Sequence, residues 1–353
     1  MIILYSASIL FILLLSLLAV FSYHIPSATK IFKSNSVAIV IPFRNEASRI
    51  QLLLDSLLKI KDFNIPVVLV NDHSTDNSQD IIQSFLHTHS LNFVRILNLP
   101  SDLKGKKQAQ QYAVLQLKVD WIYFADADTE LAPKLIEFLL SIPASSSLKF
   151  VQGFPIFYSV KPNFLFHILY LEFLTLVGIG FITRFYRFPI LANGAIMAMK
   201  REIYLELNLR EDLASGDDMF ALREIMRKYG VKSIHYAPFV VRTNAPRSFS
   251  ESIQQKKRWI SKWAWTDYLA AIIALILFYS GPVIALYNKQ YFFEILCLMP
   301  IALTLLILSL MRLTQNYKSI LNLPLVILIL PIYLGLVVSL VQKSKPSWKN
   351  RPI

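Results

Sequence analysis

Carboxylates recur in this sequence where an apolar run ends. Asp126 and Asp128 follow WIYF (121–124) within YFADADTEL (123–131). Their spacing lets two carboxylates reach one hard divalent cation, directly or through water. Mg²⁺ or Mn²⁺ held this way takes its remaining oxygens from substrate phosphates. The plainer reading is an acidic turn, with Asp128 capping the next helix and Glu130 at its start, and a lone D-x-D is more often that. Asp217 and Asp218 in SGDDMF (215–220) pose a similar choice. They are either first-turn acids of a helix or a general base placed to take a proton from a substrate hydroxyl.

Three further stretches carry polar chemistry. NDHSTD (71–76) is either an Asx turn and N-cap, or a pocket edge where Asp72 meets a base and ribose. LKGKKQAQQYA (103–113) places Gly105 and Lys106 at a helix start, where N–H groups favour phosphate; the alternative is a solvated basic face. QQKKRWISKWAW (254–265) gathers Gln255, Arg258 and Trp259 just before an apolar stretch. Aromatic and basic residues belong at a membrane interface, but that leaves Gln255 and its spacing to Arg258 and Trp259 unexplained.

The elements that must position these residues alternate. VAIVI (37–41), VVLV (67–70), FVRIL (93–97) and WIYF (121–124) read as strands, the first two buried on both faces. Helical patterns at 47–60, 77–88 and 107–118 lie between them, the signature of βαβ units and a mostly parallel α/β sheet. Ligands of such sheets gather at the carboxyl ends of the strands. PFRNE (Pro42 to Glu46), NDHSTD and ADAD (125–128) occupy those ends. No G-x-x-x-x-G-K-[ST] or G-x-G-x-x-G loop is present, so a nucleotide bound here needs acidic residues and a metal to manage its phosphates.

The 353 residues are 55% hydrophobic, with a mean hydropathy of +0.48, too apolar for an ordinary soluble enzyme. Residues 2–22 carry no charge and lack a basic n-region or an A-x-A-like cleavage site, so 1–23 is expected to be an uncleaved membrane anchor. A globular domain is expected over 35–265, a membrane region with three apolar stretches (about 267–287, 291–311 and 321–341) over 266–342, and a basic tail over 343–353. The run 164–182 contains His167 and Glu172, costly in mid-bilayer, and is expected to lie along the interface.

Much of the net charge of +13 flanks the apolar segments, which places the globular domain on the cytoplasmic side and makes nucleic acid the weaker partner. The same rule would be broken if 321–341 crossed and carried KSKPSWKNR outside, so that stretch is expected to be re-entrant or interfacial. The single cysteine, Cys297, excludes an intramolecular disulfide and any cysteine-based zinc site.

Taken in order, these stretches resemble the motifs of the family 2 glycosyltransferases. These are membrane-bound enzymes of the GT-A fold that include ceramide glucosyltransferases and the cellulose and hyaluronan synthases. IVIPFRNE is similar to their opening strand and loop, VNDHSTD to D-D-x-S-x-D, and FADAD to the D-x-D metal site. LANGAIMAMKRE (191–202) is similar to N-G-A-x-x-A-x-R-R-E, SGDD stands where T-E-D or E-D is found, and QKKRW (255–259) matches Q-x-x-R-W. SWKNR (347–351) is similar to a W-K-G-R end. Asn71 departs from the first Asp of the nucleoside motif, and Asp217 from the Glu of the base motif.

The resemblance implies an inverting, Mg²⁺- or Mn²⁺-dependent transfer of a sugar from a nucleotide-sugar donor, a UDP-sugar first among them, to a hydroxyl of a lipid or lipid-linked acceptor. It assigns Pro42, Glu46, Asp72, Lys106 and Asp126 to the donor, and Asp126 and Asp128 to the metal. Asp218, Asp217 and Arg258 take the chemistry, and Asn193, Gly194, Gln255 and Trp259 the acceptor side. An integral protein of a bacterial inner membrane, its catalytic domain in the cytoplasm, is the implied setting. A processive polysaccharide synthase is the alternative within the class; a transporter or a non-catalytic scaffold is the alternative outside it.

Overall fold

The computed structural model describes residues 2–22, 36–143, 146–207, 217–260, 292–317 and 319–341, single residues between 268 and 287, and 347–348 and 351–352. Most of the 267–287 stretch, and Ser215, lie outside the described residues. Seven strands form one sheet: β1 (Val37–Phe43), β2 (Val67–Asn71), β3 (Val94–Asn98), β4 (Trp121–Ala125), β5 (Phe150–Tyr158), β6 (Ile196–Lys200) and β7 (Ile234–Asn244). Their order is β3-β2-β1-β4-β6-β5-β7. β1 to β4 are parallel, β6 is antiparallel to β4 and β5, and β5 pairs parallel with β7.

The apolar runs alternate faces as a strand requires. Ile39, Ile41, Leu69 and Tyr123 enter one core, under α2 (Gln51–Lys59), α3 (Ser78–Thr88) and α5 (Pro133–Ser141). Val40, Val68, Val70 and Phe124 enter the other, under α4 (Lys106–Leu115), α6 (Phe164–Phe185) and α8 (Asp217–Tyr229). Burial on both faces explains why β1 and β2 read as unbroken apolar stretches. Strand order reverses beside β1, where β2 and β4 flank it, and the carboxyl ends there open the crevice in which such sheets bind ligands. One expectation is corrected here. α5 begins at Pro133 with Ala132 as its cap, so Asp128 and Glu130 neither cap nor start a helix.

The apolar helices form a floor beneath β5. Phe157 stacks on Phe173 of α6 with ring centroids 4.1 Å apart, and Phe154 meets Phe181 at 4.7 Å. α1 (Ile2–Ser22) and α10 (Phe292–Thr314) run side by side in the same direction: Tyr5 and Ile9 pack with Ala302, and Phe21 lies under the Arg312 guanidinium, 4.7 Å from its ring centroid. Gly178 lets α6 press on α10, since a Cβ there would stand 2.4 Å from Leu310 Cδ1. The two ionisable residues that fall within 164–182 and cost most in a bilayer have partners: His167 Nδ1 is 3.0 Å from Ser319 Oγ, and Glu172 meets Lys256 and Tyr333.

Among the described residues, three helices are long and apolar enough to cross a membrane, at Tyr5–Ser22, Phe164–Phe185 and Cys297–Thr314. α11 (Leu323–Val341) packs on α6, on α10 and on α9 (Phe249–Ile260). Beyond it, β8 (Ser347–Trp348) and β9 (Arg351–Pro352) pair as a small hairpin, and β8 returns to touch α9.

His235 of β7 is stacked on Phe138 at 5.2 Å and half-buried. Burial, and second the Arg184 charge, pull its pKa down to about 4. In the unfolded chain the ring takes a proton below about pH 6.5. Between the two values the unfolded state binds the extra proton, so stability is full above pH 6.5 and falls as the pH drops to 4. The loss is expected to be roughly 1–3 kcal/mol, allowing for partial exposure. His235→Gln should flatten that slope in a plot of unfolding midpoint against pH.

Candidate active site

The loops after β1 and β2 are laced together by short polar side chains. Glu46 N–H donates to Ser78 Oγ (2.8 Å), Ala47 N–H to Asp76 Oδ2 (3.1 Å), and Thr75 N–H to Asn45 Oδ1 (2.8 Å). Asn45 and His73 take left-handed backbone angles, φ 50° and 53°, and Arg44 Nη1 donates to the carbonyls of Asp72 (2.7 Å) and His73 (2.6 Å). Pro42 is buried within β1, Glu46 is buried behind it, and Asp72 is fully closed from solvent at the end of β2.

The departure at Asn71 has a physical cause. Its Nδ2 donates to Gln79 Oε1 (2.7 Å) and Asn98 Oδ1 (3.2 Å), while its Oδ1 accepts from Ser74 N–H (2.9 Å). An aspartate would place a carboxylate against two acceptor oxygens with nothing to donate.

Beyond β4, Asp126 Oδ1 accepts from Lys106 Nζ at 2.7 Å, the lysine reaching across from the first turn of α4. The Asp128 loop is fastened to β7 instead. Asn244 donates from its backbone N–H (3.0 Å) and its Nδ2 (3.1 Å) to the Asp128 carbonyl, and Thr243 Oγ1 lies 3.4 Å from Asp128 Oδ1. Glu130 supplies the main clamp: it accepts from Arg242 N–H and Nε (3.0 Å each) and from Nη2 (2.8 Å), and Lys59 Nζ stands 3.7 Å away. Sequence reasoning placed Glu130 at a helix start and missed this role. Only its apolar surroundings, not its spacing, could have hinted at a buried partner.

The segment from Leu191 to Glu202 arrives with β6. Buried Gln152 of β5, another residue the sequence did not flag, accepts from Asn193 N–H (3.0 Å) and donates to the Ile196 carbonyl (2.8 Å). Asn193 Oδ1 turns back to Ala195 N–H at 2.9 Å. Gly194 then faces the crevice. A Cβ on it would lie 3.0 Å from Lys106 Nζ and 3.7 Å from Asp218 Oδ2, so the lysine, the second carboxylate and this backbone meet at one point. Asp218 is buried, with Oδ2 accepting from Gly194 N–H (3.1 Å) and Oδ1 from Met219 N–H (2.8 Å). Asp217 is the first residue of α8, and its side chain lies outside the described ones.

α9 closes the site. Burial pulls the Arg258 guanidinium down from its ordinary pKa, while Asp126, Glu251 and Asp128 pull it back up, which puts Arg258 within electrostatic reach of both D-x-D carboxylates. Gln255 Oε1 is shut from solvent and accepts no hydrogen bond among the described residues. Trp259 stacks on Phe173 of α6 at 5.7 Å. No group of three or more His, Cys, Asp or Glu side chains gathers among the described residues. Two hard carboxylates already drawing an ammonium and a guanidinium fit a divalent ion whose coordination is completed by phosphate and water.

Residues 38–201 match Glycosyl transferase family 2, and residues 121–338 match Glycosyl transferase family group 2. The chain belongs to glycosyltransferase family 2. Within that family it is 30% identical to glycosyltransferase GlyG of Streptococcus pneumoniae over 106 residues, 30% of this chain and 34% of that protein. It is 29% identical to a 4,4'-diaponeurosporenoate glycosyltransferase of Staphylococcus aureus over 124 residues, 34% of this chain and 31% of that one. The match spans about a third of the length of these curated relatives. In fold the chain is similar to a mannosyltransferase from Pyrobaculum calidifontis solved with GDP-Man and Mn²⁺, with TM-score 0.50 and 16% identity, covering 94% of this chain and 99% of that one.

The Glu130–Arg242 clamp generates a stability prediction. Glu130→Gln and Arg242→Met should each destabilise the fold by about 1–3 kcal/mol, the arginine change more because it strands a buried carboxylate. The double variant should lose less than the sum. Thermal unfolding midpoints of the three variants read this directly.

Proposed function

We propose that the chain transfers a sugar, with inversion, from a nucleotide-sugar donor to a hydroxyl of a lipid or lipid-linked acceptor at a membrane. The observation that carries the reading is the convergence of Lys106, Asp126, Gly194 and Asp218 at one end of the sheet. The donor's diphosphate lies along the ends of β1, β2 and β4, with Asp72 toward the nucleoside and Lys106 and Arg258 toward the phosphates. Asp126 and Asp128 hold Mg²⁺ or Mn²⁺, which supplies Lewis-acid stabilisation of the charge on the departing diphosphate.

Asp218 is aimed by two backbone donors and takes the proton of the acceptor hydroxyl. The hydroxyl oxygen forms its bond to the anomeric carbon from the face opposite the diphosphate. The bond from carbon to phosphate oxygen breaks, and its electron pair leaves on the nucleoside diphosphate. Arg258 faces that growing charge, and Gln255 Oε1 is an open acceptor on the same helix. UDP stands first as the carrier, although the similar mannosyltransferase was solved with a guanosine donor.

The membrane setting rests on the apolar helices. α1 and α10 point the same way, with their carboxyl ends toward the sheet, as two spans ending on the cytoplasmic face would. α6 lies under β5 with His167 and Glu172 partnered, and β8 returns to α9, which suits helices along the interface for α6 and α11.

Membranes carrying the chain, offered radiolabelled UDP- and GDP-sugars, should place label in the lipid fraction and stop when divalent ions are chelated. Asp128→Ala and Asp218→Asn should each cut turnover by about 10²–10⁴-fold. Undiminished turnover in Asp218→Asn would remove the base assignment, and chelator-resistant turnover the metal assignment.

A further inference from the structure

Lys256 is 6% exposed, on the helix that also presents Gln255 and Arg258, and none of the chemistry above uses it. Its Nζ lies 2.9 Å from Glu172 Oε2 of α6. The same oxygen accepts from the Tyr333 hydroxyl of α11 at 3.0 Å, and the ammonium stands 5.5 Å from the centroid of the Tyr333 ring. Adjacent contacts repeat the pattern. Trp259 stacks on Phe173, the neighbour of Glu172, and Phe249 meets Tyr333 edge-on at 6.2 Å. The amino-terminal end of α9 is tied elsewhere. Glu251 pairs with Arg49 of the β1 loop and accepts from Arg247 N–H at 2.8 Å.

Two facts argue that this cluster does more than hold helices together. A buried ion pair is a poor source of stability, since its desolvation offsets much of its attraction and apolar side chains of similar size pack as well. What it does fix is register. Lys256 and Arg258 lie two residues apart on one helix, so their side chains point about 200° apart around its axis. Holding Lys256 against α6 and α11 therefore sets the direction in which the Arg258 side chain leaves the helix, within electrostatic reach of Asp126 and Asp128.

We infer that Glu172, Lys256 and Tyr333 are positioning residues that lock the rotation of α9, and so aim Arg258 at the diphosphate, from within the apolar helices. The inference rests on the reading of Arg258 as a diphosphate ligand. It makes the packing of α6 and α11 a determinant of donor binding, although neither helix supplies a donor contact.

The test titrates UDP and GDP, each with Mn²⁺, into the full chain in lipid nanodiscs, and follows whichever wild type binds more tightly. Glu172→Gln should weaken that nucleotide by about tenfold, and Arg258→Lys, which keeps the charge but loses the fork, by a similar factor. Combined, they should stay near the larger single loss, because a misaimed side chain that is already impaired has little more to lose. Tyr333→Phe, which removes one hydroxyl, should cost two- to threefold and tests the idea even if Glu172→Gln does not fold. Exchanging the charges, Glu172→Lys with Lys256→Glu, should recover binding to within about threefold of wild type.

Losses that multiply to about a hundredfold in the double variant would overturn the inference. So would wild-type affinity in both Glu172→Gln and Tyr333→Phe while Arg258→Lys is weakened, and that result would leave the proposed function standing. Failure of both nucleotides to bind wild type would overturn both readings.

Discussion

The carboxylates of Asp126 and Asp218 are brought toward one point at the end of a sheet, on either side of the Lys106 ammonium and the Gly194 backbone, where like charges raise each other's energy. The protein answers with cations carried in from separate elements. Lys106 comes from the start of α4 and bonds Asp126, and Arg258 of α9 lies within electrostatic reach of both carboxylates of the D-x-D pair. Backbone N–H groups of Gly194 and Met219 serve Asp218. Each of these groups must be delivered at a defined angle, so the loops that deliver them are clamped in turn. Glu130 on Arg242, Gln152 on the Asn193 turn, and Arg44 on the carbonyls of Asp72 and His73 all do this. The fold around the site is largely a set of answers to that one electrostatic demand.

Much of this was legible in the residues. Strands β1, β2 and β4 announced themselves because burial on both faces demands unbroken apolar runs, and β3, half-exposed at the sheet edge, by a shorter one. The polar stretches at their ends followed from topology. β5, β6 and β7 were not legible. β5 carries Gly153 and Pro155, β6 is a five-residue run whose only β-branched residue is Ile196, and β7 sits at the sheet edge with half-buried His235, Arg242 and Asn244. Their pairing is decided by tertiary contact, which local propensity does not report.

The site divided in the same way. Asp126, Asp128, Lys106, Gly194, Asp218 and Arg258 carry types and spacings that point to chemistry, and the fold brings Lys106, Asp126, Gly194 and Asp218 to one point. Glu130, Gln152, Arg242 and Lys256 act by touching residues far away in the chain, and no local pattern encodes a partner more than 40 residues distant. Glu172 stood between the two groups. A carboxylate in an apolar run demanded a reason, but that reason, a lysine on another helix, could only come from packing.

The parallel course of α1 and α10 has a consequence for the order of events as the chain is made. α1 ends at Ser22 and α10 begins at Phe292, yet each packs against the other and both against α6. At ribosomal speeds, the interval between the two corresponds to roughly 15–50 seconds. By the end of that time the sheet and the amino-terminal helix exist, and from the making of α6 onward its face that will receive Leu310 against Gly178 has no cover. Newly made chains thus pass through a stage with an exposed apolar floor, held only by the first helix. The vulnerable moment in the life of this protein falls before its last helices are synthesised.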